Sequence, residues 1–155
     1  MKDAGFTLYE LIITMAVISL LSAIAAPHFI RLSADFKLNS AIRDMQSDLQ
    51  AAKLFAINKK GYAVINFYED SYTVFIDNGK NPQDWNQDAD EKTVINRLLP
   101  AGIYLSSNFP KNRLRFKPTG NLGCRLGSVV LANKRNNKSK TISLSRTGRI
   151  NVKWK

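Results

Sequence analysis

The reading of the fold turns on "GFTLYELIITMAVISLLSAIAAPHFI", residues 5–30. From Phe6 to Ile30 the one side chain charged at neutral pH is Glu10, and the 16 residues Leu11 to Ala26 carry no charge at all. A helix from Phe6 to Ile30 is long enough to span roughly 30 Å of hydrocarbon. A carboxylate near one end of such a span costs less than one at the midplane, yet it still calls for a partner. No cation lies within the segment, so the partner expected for Glu10 is on a second copy of the chain.

Hydropathy leaves three readings of this segment open. A secretory signal peptide would use Lys2 as its basic start and Ala23-Ile24-Ala25 as its cleavage site. A plain signal anchor would stay in place. Charge does not decide orientation, because Asp3 offsets Lys2 while Arg31 and Lys37 lie on the far side. The third reading comes from the residues beyond Ile30. Leu38, Ile42, Met45, Leu49, Ala52 and Phe55 recur at helical spacing and form one apolar stripe. Arg43, Asp44, Ser47, Asp48 and Lys53 are expected away from it. Lys59, Lys60 and Gly61 form a stop signal. The spacing predicts one helix of about 55 residues, roughly 80 Å long at 1.5 Å per residue. Its first half is apolar all round and its second half amphipathic. Pro27 lacks an N–H and crowds the carbonyl of Ala23, so a kink or a loosened turn is expected there.

From Tyr62 onward the chain reads as strands. "YAVINFY" (62–68) and "YTVFID" (72–77) flank a turn; "KTVINRL" and "GIYLSS" flank Pro100. "RLRFK" (113–117), "GSVVLA" (127–132), and a closing hairpin of "KTISLS" (140–145) and "RINVKW" (149–154) come next. Residues 78–91 are polar and acidic and read as a loop. The expected class is α+β: a long N-terminal α-helix with a C-terminal antiparallel β-sheet domain.

Charge is unevenly placed. The net charge is +11, but residues 1–110 hold 10 basic and 12 acidic residues. Residues 111–155 hold 13 basic residues and no acidic one. On alternating strands, Arg113, Arg115 and Lys117 share one face, and Arg149, Asn151, Lys153 and Lys155 share another. If the two strands are neighbours, their sheet presents a cationic stripe suited to phosphate contact without base readout. A solvated strand face is the plain alternative.

The chemistry of catalysis is thin. One histidine (His28) and one cysteine (Cys124) offer neither a metal cluster nor a nucleophile pair, and no disulfide can form within the chain. No Ser/His/Asp set or phosphate loop stands out, so no catalytic residue, cofactor or metal is assigned and an enzyme is not expected. Asp84, Asn86, Asp88 and Asp90 alternate like the start of an EF-hand, but Ala89 stands where that loop needs glycine and Ile95 where it needs glutamate. Trp85 in the same loop is either a docking contact or a cover for the local core.

Gly5-Phe6-Thr7-Leu8-Tyr9-Glu10-Leu11 resembles the prepilin peptidase motif of type IV pilins and type II secretion pseudopilins. The resemblance implies a leader of residues 1–5, cleavage between Gly5 and Phe6, and methylation of the new Phe6 amine. It implies that Glu10 meets the Phe6 ammonium of a neighbouring subunit during assembly. Pro27 matches the family's kinking proline. "RFKPTGN" (115–121) and "ISLSRTGRINV" (142–152) resemble the C-terminal pattern of the GspH/FimT family of minor pseudopilins. The division implied is leader 1–5, membrane and filament-core helix 6–30, amphipathic helix 31–61 and a periplasmic β-rich domain 62–155. The N-terminus would be cytoplasmic and the single-pass anchor would sit in the inner membrane. Expected partners are other pilin or pseudopilin subunits, prepilin peptidase, the membrane and the assembly platform.

The leading expectation is a structural subunit near the tip of a type II secretion pseudopilus. The other is a minor type IV pilin that binds DNA through Arg113, Arg115, Lys117, Arg146, Arg149 and Lys153. The Gly-Arg-x-Arg pattern of DNA-binding relatives stops short here: Gly148-Arg149-Ile150 is followed by Asn151. Lysine and Arg146 would have to stand in, without a second guanidinium fork on that strand.

Overall fold

A computed structural model describes residues 7–78, 85–88 and 91–154, the last without its side chain. Helix α1 runs Leu8–Lys59, 52 residues, and continues through Pro27. Its second half buries Leu38, Ile42, Met45, Leu49 and Ala52, as the stripe predicts, together with Ala34, Ala41 and Ala56. Phe55 packs at the edge of this core.

The helix ends differently from expectation. Lys60, not Gly61, takes the left-handed conformation (φ 50°), and its N–H bonds the carbonyl of Ile57 at 3.3 Å. Gly61 serves close packing instead: a Cβ there would lie 3.0 Å from Cβ of Asn78 and 3.1 Å from Ile76. The chain can therefore turn at once into the first strand.

Among the described residues eight strands follow: β1 Tyr62–Phe67, β2 Ser71–Asp77, β3 Thr93–Leu98, β4 Ile103–Ser107, β5 Arg113–Phe116, β6 Ser128–Asn133, β7 Ser139–Leu144 and β8 Ile150–Trp154. All eight expected strands form. They divide into two four-stranded antiparallel sheets, ordered β3-β2-β1-β5 and β4-β6-β7-β8. The β1–β2 and β7–β8 hairpins are present, with Val64 opposite Phe75 and Ile142 opposite Val152. Strands β3 and β4, neighbours in sequence across Pro100, belong to different sheets.

The helix touches both sheets, and one apolar core joins all three. Sheet alternation delivers Leu114 and Phe116 fully into it, and Val129, Leu131 and Ile142 from the second sheet. Two polar side chains tie the start of the packed half to the β6–β7 hairpin. Asn133 Nδ2 donates to the carbonyl of Ala34 at 2.8 Å, and Lys138 pairs with Asp35 at 2.7 Å. Ala34 is also the first buried residue of the helix, so the domain begins one turn beyond Ile30.

Candidate functional site

The helix from Leu8 to Leu32 is exposed on every side in the isolated chain. Leu8, Ile12, Met15, Ile18, Leu20, Leu21, Ile24 and Phe29 all stand open. Its serine and threonine hydroxyls are satisfied internally: Thr14 donates to the carbonyl of Leu11, Ser19 to Met15 and Ser22 to Ile18, each at 2.8 Å. A segment bound for hydrocarbon needs this, since lipid offers no hydrogen-bond partner. The helix is long and apolar enough here to cross a membrane, and its most apolar stretch is not buried in the isolated chain.

Glu10 has a local partner that its place in an apolar span did not suggest. Thr7 caps the helix, and the two residues form a capping box. The Thr7 N–H donates to Glu10 Oε2 at 3.0 Å, the Thr7 hydroxyl donates to the same oxygen at 2.9 Å, and the Glu10 N–H reaches Thr7 Oγ1 at 3.3 Å. Thr-x-x-Glu before an apolar run is a sequence-level signal for this arrangement. In a single chain the carboxylate is therefore held at the first turn and still exposed. Gly5 and Phe6 lie outside the described residues.

The condition for one cationic stripe, that β5 and β8 be neighbours in a sheet, is not met. β5 is the edge of one sheet and β8 the edge of the other. Arg113 and Arg115 are engaged by Trp85 and Asn86. Arg113 Nη1 donates to the carbonyl of Trp85 at 2.8 Å and to Asn86 Oδ1 at 3.2 Å. The Arg115 guanidinium lies 4.4 Å from the ring centroids of both Tyr62 and Trp85. Its Nε and Nη1 are buried without a hydrogen-bond partner, and stacking stands in for one. Trp85 is thus a cover over β5. It takes φ 66°, a conformation seldom adopted by a bulky side chain, and the Arg113 bond to its carbonyl helps hold it there.

Lys117, Arg146 and Arg149 are exposed and come together in two touching turns. The Leu122 N–H bonds the carbonyl of Arg146 at 2.9 Å, and a Cβ on Gly148 (φ 70°) would fall 2.2 Å from the carbonyl oxygen of Gly120. Only glycine fits that approach. Lys53, expected on the outer helix face, instead reaches the carbonyls of Thr147 and Gly148 at 3.3 and 3.2 Å. Lys153 is exposed on β8.

Asp48, also expected away from the packed face, is buried. Its carboxylate accepts from Tyr72 Oη at 2.8 Å and from Arg97 Nε and Nη2 at 3.0 and 3.2 Å. Burial and this bond push the Tyr72 phenol well above its usual range, and the same carboxylate holds Arg97 protonated. The cluster fastens α1 to β2 and β3. Cys124 is half-buried, and burial pushes its thiol up, which keeps it a poor nucleophile. Among the described residues no three His, Cys, Asp or Glu side chains gather as metal ligands. Asp84 and Asp90 lie outside the described residues.

A bare apolar half-helix, continuous with a half-helix laid on an antiparallel β domain, defines a pilin-like protein. Residues 1–26 match the prokaryotic N-terminal methylation motif, and residues 41–148 match the family described as type II transport protein GspH. The chain belongs to the GspH family. The type IV major pilin protein PilA of Myxococcus xanthus is 39% identical over 62 residues, which are 40% of this chain and 28% of that protein. The chain thus matches less than a third of that relative's length. Among solved structures, the minor pseudopilin EpsH of the Vibrio cholerae type 2 secretion system superposes with a TM-score of 0.59 at 13% identity, covering 76% of this chain and 97% of that one. The type IV minor pilin FimU of Pseudomonas aeruginosa gives 0.62 at 15% identity, covering 77% and 90%. Escherichia coli GspH gives 0.60 at 14%, covering 78% and 90%. At these identities the likeness speaks for the fold.

Proposed function

We propose that the chain is a structural minor pilin or pseudopilin, anchored by its N-terminal helix and assembled with other pilin-like subunits into the tip of a type II secretion pseudopilus. The observation that carries this is the division of α1. From Leu8 to Leu32 the helix is bare and, apart from Glu10 and Arg31, uncharged, and cover begins at Ala34. Such a bare half is stable only in lipid or among other helices. A subunit that passes from membrane to filament exchanges one for the other.

In this proposal prepilin peptidase removes residues 1–5 and the Phe6 amine is methylated. Glu10 then trades its contact with Thr7 for the Phe6 ammonium of a neighbour. Each of these groups is costly in an apolar bundle, and together they offset each other. The pair would set axial register more than it adds stability. Pro27 would give the helix the local freedom to seat in the bundle. The domain lies on the periplasmic side. N-terminal sequencing and mass measurement of the mature protein test the reading: a methylated Phe6 is expected, and a start at Ala26 would overturn it.

A second reading, DNA binding by a minor type IV pilin, is favoured by one feature. Lys117, Arg146 and Arg149 are exposed on adjoining turns. Arg113 and Arg115 are occupied and contribute little. Binding should be salt-sensitive and should weaken in Arg146→Ala and Arg149→Ala; no retention of duplex DNA at low salt would remove this reading.

A further inference from the structure

We infer that the β6–β7 hairpin is a docking surface for anionic lipid headgroups, which holds the domain against the membrane before assembly. This rests on the proposed membrane anchor. The apolar run ends at Ile30, and the hairpin is bonded to the helix at Ala34 and Asp35. Four residues of helix advance about 6 Å. The polar zone on one side of a bilayer is about 5–8 Å deep. The hairpin therefore sits at headgroup depth.

The charge there has the right sign. Arg31 and Lys37 on the helix and Lys134 and Arg135 on the hairpin are exposed. Lys138 adds a fifth cation, paired with Asp35, and Lys134 makes a loose pair with Glu69 at 3.8 Å. Five cations thus meet three carboxylates, Asp35, Glu69 and its neighbour Asp70, which lines a cavity with Glu69 and Lys134. Lys37, Arg135, Ser33, Gly102 and Asn133 line a cavity of about 300 Å³ that opens between the helix and the hairpin. Its volume accommodates a phosphate group, with a cation on either wall. Phe29, Leu32 and Phe36 are exposed on the helix just below and beside it, where apolar side chains would reach acyl chains. The arrangement also accounts for Arg31 and Lys37, which sit on the far side of the span from the side that the positive-inside pattern favours.

Each lysine or arginine near an anionic surface strengthens attraction by about fivefold, and the effect fades within a Debye length. The test uses the full chain in lipid nanodiscs of phosphatidylcholine alone or with phosphatidylglycerol added, read by hydrogen exchange across residues 133–138. Exchange is expected to slow about tenfold with phosphatidylglycerol, and to recover when salt shortens the Debye length to about 3 Å. Lys134→Gln combined with Arg135→Gln should weaken docking about thirtyfold and abolish the difference. Both side chains are exposed, so the fold should be unaffected. Equal exchange in the two lipids would overturn the inference, as would protection by added duplex DNA in place of anionic lipid. Failure of the chain to enter discs of either kind would refute the anchor itself, an outcome distinct from entry without docking.

Discussion

Replacing Asp48 by alanine tests whether α1 is clamped to the first sheet through a buried carboxylate. The side chain of Asp48 is 11% exposed and that of Arg97 is 45% exposed. Tyr72 is 1% exposed, and its hydroxyl bonds Asp48 at 2.8 Å. Removing a partner from a fully buried ion pair costs about 3–5 kcal/mol. Arg97 is half open and can rehydrate, so most of that cost falls away. The stranded Tyr72 hydroxyl cannot, and an unsatisfied buried polar group costs about 1–3 kcal/mol. With the lost packing, the expected loss is about 2–3 kcal/mol, or roughly 6–10 °C in Tm for a chain of this size. Asp48→Asn keeps an acceptor for Tyr72 and should cost about 1 kcal/mol, as should Tyr72→Phe, which leaves Asp48 held by Arg97. Urea unfolding in detergent, followed by tryptophan fluorescence, measures all three. If alanine and asparagine were equally harmful, or alanine cost under about 1 kcal/mol, the buried Tyr72 hydroxyl would not depend on Asp48 as described. The clamp also has a pH signature. The phenol's folded pKa is raised, so its contribution is complete below the unfolded value of about 10 and declines as pH rises beyond it. Tyr72→Phe should flatten that alkaline decline.

Gly148→Ala should destabilise by more than about 2 kcal/mol, because a Cβ at 2.2 Å from the Gly120 carbonyl adds a clash to an unfavourable φ; a neutral result in thermal melts would refute the close approach. Arg115→Ala should release Trp85, seen as faster hydrogen exchange over residues 85–88 and a red-shifted tryptophan emission, with a small loss of global stability. Cys124 should alkylate more slowly than an unperturbed thiol at neutral pH, and its rate should still be climbing with pH where an unperturbed thiol has levelled off, which iodoacetamide kinetics would show. Glu10→Ala should leave a cleaved, folded chain that is not incorporated into filaments, scored by mature-protein mass and by pull-down of sheared filaments; normal incorporation would remove the ion pair from the assembly scheme.

Much of this architecture is written in periodicity. The spacing of Leu38, Ile42, Met45, Leu49 and Ala52 marks the helix face that packs on the sheets, and alternation marks Leu114 and Phe116 as core. Both signals are local. The partition of strands between sheets is not, because β1 pairs with β5 across the intervening β2, β3 and β4. Nothing in "RLRFK" states which edge it will occupy. Asp48 is hidden for a related reason. It lies next to Leu49 on the helix, at the margin of the apolar stripe, and is buried only because Tyr72 and Arg97 arrive from distant strands to satisfy it. The cap at Thr7 is legible in the sequence: Thr7 and Glu10 stand three apart, and the charge of Glu10 in an apolar run masks its second use.

The same separation of sheets changes what the basic C-terminal region can do. Thirteen cations without one acidic residue look like a single polyanion surface when written as a line. Folded, they are divided. Arg113 and Arg115 are engaged by Trp85 and Asn86 and serve the fold. Lys138 pairs with Asp35, one turn from the apolar span, and Lys134 and Arg135 stand exposed on the same hairpin. Lys117, Arg146 and Arg149 collect at the opposite end of the packed helix, near Lys53. From Asp35 to Lys53 the helix rises about 27 Å, nearly three Debye lengths at moderate salt, so these two exposed groups act independently. One can face lipid while the other stays free for a partner further from the membrane, and substitutions in one should leave the other's binding unchanged.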